Sequence, residues 1–241
     1  MKWILQTITV ALPMAIGLIF SSVAGPLEDA GAAFKAGNYA KAMRLSRPLA
    51  EQGNDRAQTG LGIMYQNGLG VAQDYRKAIE WSRKAAEQGN AMAQYNLALG
   101  YDKGQGIAQD YRKAAKWYRK AAKQNVSAAQ YNLGVMHQNG VGVAKNYGEA
   151  AKWYRKAAES GDTMAQVNLG VMYRKGHGVE RDYSKAANWY RKAAEQGDAE
   201  AQDVCSAVGA QASLPNFSRT GSGFLLPSSM PSTARLASLH M

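Results

Sequence analysis

From Asn54 onward, apolar and small residues recur three or four positions apart. Ala57, Leu61, Met64 and Tyr65 share one face of a helix predicted from about Asp55 to Asn67. The pair Gly68 and Gly70 then breaks the pattern, because glycine enters the left-handed conformation at a helix end without steric cost. Tyr75, Ala78, Trp81, Ala85 and Ala86 predict the buried face of a second helix, from about Asp74 to Gln88. Arg76, Lys77, Arg83 and Lys84 form its wet face, Asp74 caps it, and Gly89 ends it.

This helix pair repeats every 36 residues. In register, Leu61, Leu97, Leu133 and Leu169 form one column. Trp81, Trp117, Trp153 and Trp189 form another, and Tyr75, Tyr111, Tyr147 and Tyr183 a third. An amphipathic pair cannot bury its face alone, whereas stacked neighbours can, so the predicted fold is all-α: a solenoid of tandem helix-turn-helix units. The tryptophan and tyrosine columns are expected in its core. The expected organisation is a signal peptide over residues 1–24, a capping helix pair over 25–53 and four repeats over 54–197. A partial capping helix over 198–212 and a disordered, Ser/Pro/Gly-rich tail over 213–241 complete it. Asn125 replaces the terminal glycine of its unit and should preserve the break, since asparagine tolerates the same backbone region.

The units resemble the Sel-one-like repeat family, relatives of the tetratricopeptide repeats. The resemblance rests on stretches such as Ala129-Gln130-Tyr131-Asn132-Leu133-Gly134 and Lys152-Trp153-Tyr154-Arg155-Lys156-Ala157-Ala158-Glu159, and it runs from about Leu27 to Gln202. It implies a right-handed α/α superhelix acting as an adaptor or scaffold, and in exported bacterial members a link to envelope assembly, exopolysaccharide secretion or host interaction. Some members bridge each helix pair with paired cysteines. This chain has a single cysteine, Cys205, so its stack depends on packing. His137 replaces a motif tyrosine and Gly148 sits in the first turn of a helix, and both should weaken the third unit.

Charge and the N-terminus shift the functional reading. Lysine and arginine exceed aspartate and glutamate by 11, a balance that favours acidic partners. Lys2, the mostly apolar stretch from Trp3 to Phe20 and the small residues Ser22-Val23-Ala24 read as an export signal cleaved after Ala24. Gln6, Thr7, Thr9 and Pro13 weaken the rival reading as an uncleaved membrane anchor. A periplasmic or secreted location is therefore expected, and export argues against nucleic acid as the partner.

Enzyme chemistry finds no foothold. No serine is followed by lysine three positions later, and no G-x-S-x-G is present. His137, His177 and His240 have no partner at metal-ligand spacing, so no metal, cofactor or catalytic residue is assigned. Two surfaces remain. By analogy with tetratricopeptide repeats, first-helix positions facing the concave side form an apolar, aromatic lane suited to a peptide. Ile63, Tyr95, Leu99, Tyr131, Val135, Val167, Val171 and Arg174 are its candidate contacts, with Arg56, Thr59, Gln66, Met92 and Asp102 beside them. Tyr95, Leu99, Tyr131 and Val135 are expected to face the lane rather than the helix-pair core. The alternative is an anionic envelope polymer, either cell wall or exopolysaccharide. It would be held by the basic pairs Arg83-Lys84, Arg119-Lys120, Arg155-Lys156 and Arg191-Lys192.

Overall fold

The computed structural model describes residues 25–212, and the expected signal peptide and tail lie outside them. The described residues form eleven helices and no strand. The first helices of successive pairs are α1 (Pro26–Lys35), α3 (Asp55–Asn67), α5 (Ala91–Lys103), α7 (Ser127–Asn139) and α9 (Thr163–Lys175). Their second helices are α2 (Tyr39–Glu51), α4 (Tyr75–Glu87), α6 (Tyr111–Lys123), α8 (Tyr147–Glu159) and α10 (Tyr183–Glu195), and α11 (Ala199–Ala212) follows. None of the described helices is long and apolar enough to cross a membrane.

The chain divides into two compact units within α7. The first contains α1 to α6 and residues 127–136, and the second contains the end of α7 and α8 to α11. In the first, each helix from α1 to α6 packs against the next in sequence. In the second, α8 packs on α9, α9 on α10 and α10 on α11. Within each unit this sequential packing is that of a helical-repeat solenoid.

Each second helix begins where the sequence supplies a cap. Asp74, Asp110 and Asp182 accept the backbone N–H groups of Lys77, Lys113 and Lys185 at 3.0, 3.0 and 2.8 Å. These bonds to the ionised form hold the three carboxyls below their ordinary pKa. Asn54, Asn90 and Asp162 cap first helices in the same way, but Val126 at the start of α7 has no capping side chain. Asn125 does take the left-handed conformation, at φ 64°. The second glycine of each pair has a further duty. A Cβ on Gly106 would collide with the Tyr75 carbonyl, and one on Gly178 with the Tyr147 carbonyl. The glycine lets the loop press onto the start of the preceding second helix.

The leucine column and the alanines are the core: Leu61, Leu97, Leu133 and Leu169 are all buried. The tryptophan column is not. Trp81, Trp117, Trp153 and Trp189 are half-buried. A lysine three residues on lies over each ring, with Nζ 4.4, 3.9, 5.0 and 4.4 Å from the centroids. The next residue fills the core instead: Tyr118 and Tyr154 are 0 % exposed and Tyr190 2 %. The helical face is rotated by one residue from the expected one, so the larger ring snorkels beneath its lysine while the tyrosine turns inward. The other tyrosine column is also less buried than expected. Tyr75, Tyr147 and Tyr183 are half-buried and Tyr111 is exposed.

Candidate binding groove

All eight candidate contacts are half-buried, neither sealed in the core nor free in solvent. Ile63, Tyr95, Leu99, Tyr131 and Val135 belong to the first unit, and Val167, Val171 and Arg174 to the second. In the first unit a cavity of about 400 Å³ opens along α1, α3 and α5. Ile63, Arg56, Thr59 and Met92 line it. Met92 is 47 % exposed, an apolar side chain left in water at the rim. Leu27 and Phe34 from α1 complete the wall. They stand seven residues apart on one helical face, a spacing legible in the sequence, although residues 25–53 were read only as a cap. The charged side chains lining the cavity, Lys35 and Arg56, are both cationic.

The other contacts are arranged differently. Leu99 lines a narrower cleft with Gln66, Asn96 and Gln105. Tyr95 does not stand clear of the core: its ring lies 5.9 Å, centroid to centroid, from that of buried Tyr118. Its truncation would therefore disturb packing, contrary to the expectation that it faces the lane alone. In two of the pairs a polar residue near the end of the first helix anchors a core tyrosine. Tyr118 donates its hydroxyl hydrogen to Asp102 at 3.1 Å, and Tyr154 donates to Gln138 at 3.0 Å. Burial, then the Asp102 carboxylate, pushes the Tyr118 hydroxyl far above its ordinary pKa. Among the described residues no group of histidine, cysteine or acidic side chains is placed to hold a metal ion.

Sequence reasoning missed a glutamine ladder that joins successive pairs. Gln58, Gln94, Gln130 and Gln166 are buried, and each Nε2 donates to a carbonyl of the preceding second helix, from 3.0 to 3.2 Å. Gln88, Gln124 and Gln196 in turn donate to the Oε1 atoms of Gln58, Gln94 and Gln166 at 2.8, 2.9 and 2.9 Å. The signal was a glutamine at two fixed positions of every unit but one: the third carries Ser160, and Gln130 Oε1 has no partner.

The comparisons agree with this geometry. The Sel1 repeat matches residues 30–54, 55–90, 91–126, 127–162 and 163–198. A Sel1 repeat protein from Oxalobacter formigenes is 42 % identical, with 75 % of this chain and 74 % of that one covered, at a TM-score of 0.71. A protective antigen present in uropathogenic Escherichia coli strains, displaying an SLR fold, is 36 % identical at a TM-score of 0.71. It covers 76 % of this chain, and the match spans 41 % of that chain. A sel1 repeat protein from Klebsiella pneumoniae, 22 % identical over 76 % of this chain and 91 % of that one with a TM-score of 0.50, shares the fold. None of the curated proteins matches. Sel1 repeat proteins generally serve as non-catalytic scaffolds for protein interaction. Five tandem copies over residues 30–198 make this chain a member of the Sel1 repeat family.

Proposed function

We propose that the protein is an interaction scaffold of the bacterial periplasm or cell envelope that holds a partner peptide along its first helices. The apolar cavity beside Ile63, open to solvent and rimmed by exposed Met92, is the observation that carries this reading. A fold-building cavity would be closed; this one offers apolar surface that a partner side chain can cover. Location in the envelope rests on the export-like composition of residues 1–24. The test is capture of partners from an envelope fraction by the mature chain. Ile63→Glu with Leu99→Glu should abolish recovery, and Lys120→Glu with Lys156→Glu should leave it intact. The reverse pattern would overturn the reading.

A second reading, an anionic envelope polymer on the outer face, is favoured by α6 alone. Arg112, Lys113, Lys116, Arg119, Lys120 and Lys123 are all exposed, and the helix contains no acid. Lys116 and Lys123 stand where α4 has Glu80 and Glu87. Binding to such a polymer should weaken steeply with salt, as counterion-dependent association does.

A further inference from the structure

The core tyrosines of the second helices end at a polar residue sixteen positions earlier. Tyr118 finds the Asp102 carboxylate and Tyr154 the Gln138 amide oxygen. In the fourth pair the residue sixteen positions before the core tyrosine Tyr190 is Arg174. Arginine carries donors and no acceptor, so it cannot take the hydroxyl hydrogen however its side chain turns. The Tyr190 hydroxyl is buried and has no partner. The neighbouring position also changes: the polar Asn132 is in the surroundings of the Tyr118 hydroxyl, whereas the corresponding residue for Tyr190 is the apolar Val204. Burial pushes the Tyr190 hydroxyl above its ordinary pKa, Arg174 opposes that shift and Glu200 adds to it, which puts both charges in its surroundings. Glu200 is exposed on the first turn of α11 and does not bond the hydroxyl.

The Tyr190 hydroxyl thus has no acceptor, and a guanidinium stands in its surroundings. We infer that Tyr190 and Arg174 form a carboxylate site that receives an Asp or Glu side chain of the bound peptide. One carboxylate oxygen accepts the Tyr190 hydroxyl hydrogen, and the other accepts from the Arg174 guanidinium, a charge-assisted pairing. The Tyr190 hydroxyl is buried, so the site requires the half-buried Arg174 side chain to turn aside as the ligand enters. The inference rests on the peptide-scaffold reading and adds a chemical requirement: the partner presents an acid to the second unit.

The test uses the full chain with ¹³C-labelled tyrosine, titrated with acetyl-Leu-Glu-Leu-amide, acetyl-Leu-Gln-Leu-amide and sodium acetate. Tyr190 is identified as the resonance lost in Tyr190→Phe, a variant that keeps the ring and its packing. The Glu peptide should shift that resonance saturably and bind at least tenfold more tightly than the Gln peptide. Acetate should shift it in the same direction, more weakly. Arg174→Gln should weaken the Glu peptide at least tenfold, and Glu200→Gln should not. Equal affinity for the two peptides, a silent Tyr190, or a tenfold loss in Glu200→Gln overturns the site. Partner capture separates the two claims. Loss in Ile63→Glu with full recovery in Arg174→Gln and a silent Tyr190 removes this site and keeps the scaffold reading. A Tyr190 response with unchanged capture by Ile63→Glu does the opposite.

Discussion

Gln124 Nε2 donates to Gln94 Oε1 at 2.9 Å, linking the end of α6 to the start of α5 across thirty residues of sequence. Gln94 Nε2 meanwhile donates to the Ala86 carbonyl of α4 at 3.2 Å. One buried amide therefore ties three helices together, and it does so with donor and acceptor both used.

The ladder has measurable worth. Gln94→Ala removes two hydrogen bonds and should lower unfolding free energy by about 2 kcal/mol, at roughly 1 kcal/mol each. Gln130→Ala removes an amide whose Oε1 is already unpartnered, and should cost about half as much. Urea unfolding of both variants checks the ordering; equal losses would show that the ladder is not the source.

The rotated face of the second helices makes a different claim. Tyr118→Ala, in a fully buried site, should cost about 3–5 kcal/mol. Trp117→Ala should cost less, about 1–2 kcal/mol, because a half-buried ring loses part of its burial and one lysine contact. Thermal melts that rank the two the other way would return the tryptophan to the core.

These results mark what the sequence could say. The 36-residue period, the helix boundaries, the Asp74 and Asp110 caps and the left-handed Asn125 follow from local rules, since each depends on neighbours within a few residues. Which of Trp117 and Tyr118 turns inward does not. Both fit an amphipathic face at 3.6 residues per turn, and the choice is made by lysine covering one ring and Asp102 bonding the other. Ile63 and Met92 were legible as candidates, but the cavity that they line depends on the spacing of several helices. The proximity of Tyr95 to Tyr118 was not legible, because it is set by the partner helix. The glutamine ladder spans thirty residues, beyond any helical periodicity.

The missing cap can be restored. Val126→Asn supplies at α7 the acceptor that Asn54 and Asn90 supply at α3 and α5. The substitution should stabilise the chain by about 1 kcal/mol. A melting temperature at or below that of the wild type would contradict it.

The caps also set an acid limit. Folding lowers the pKa of Asp110 below 3.8, chiefly through the Lys113 backbone N–H. Its contribution is present above that value and fades as pH falls through the lower folded pKa. Asp110→Asn keeps the acceptor and removes the titration. It should flatten the loss of melting temperature below about pH 4 and change little at pH 7. An unchanged acid slope would assign the sensitivity elsewhere.

The hydroxyls of the core tyrosines should respond in opposite directions. Tyr118→Phe deletes a bonded hydroxyl and should cost about 1 kcal/mol. Tyr190→Phe deletes an unpartnered one and should be neutral or stabilising, by up to about 1 kcal/mol. Calorimetry of both variants without ligand decides, and a clear loss in Tyr190→Phe would mean that its hydroxyl is already satisfied.

The scaffold reading meets its most direct test in photo-crosslinking from the cavity. A benzoylphenylalanine placed at Ile63, and separately at Lys120 on the outer face of α6, is irradiated with the envelope fraction, and adducts are mapped by mass spectrometry. The account predicts a discrete peptide adduct at position 63, lost when Met92→Glu is added, and none at position 120. A protein or polymer adduct at position 120 with position 63 unreacted would contradict it.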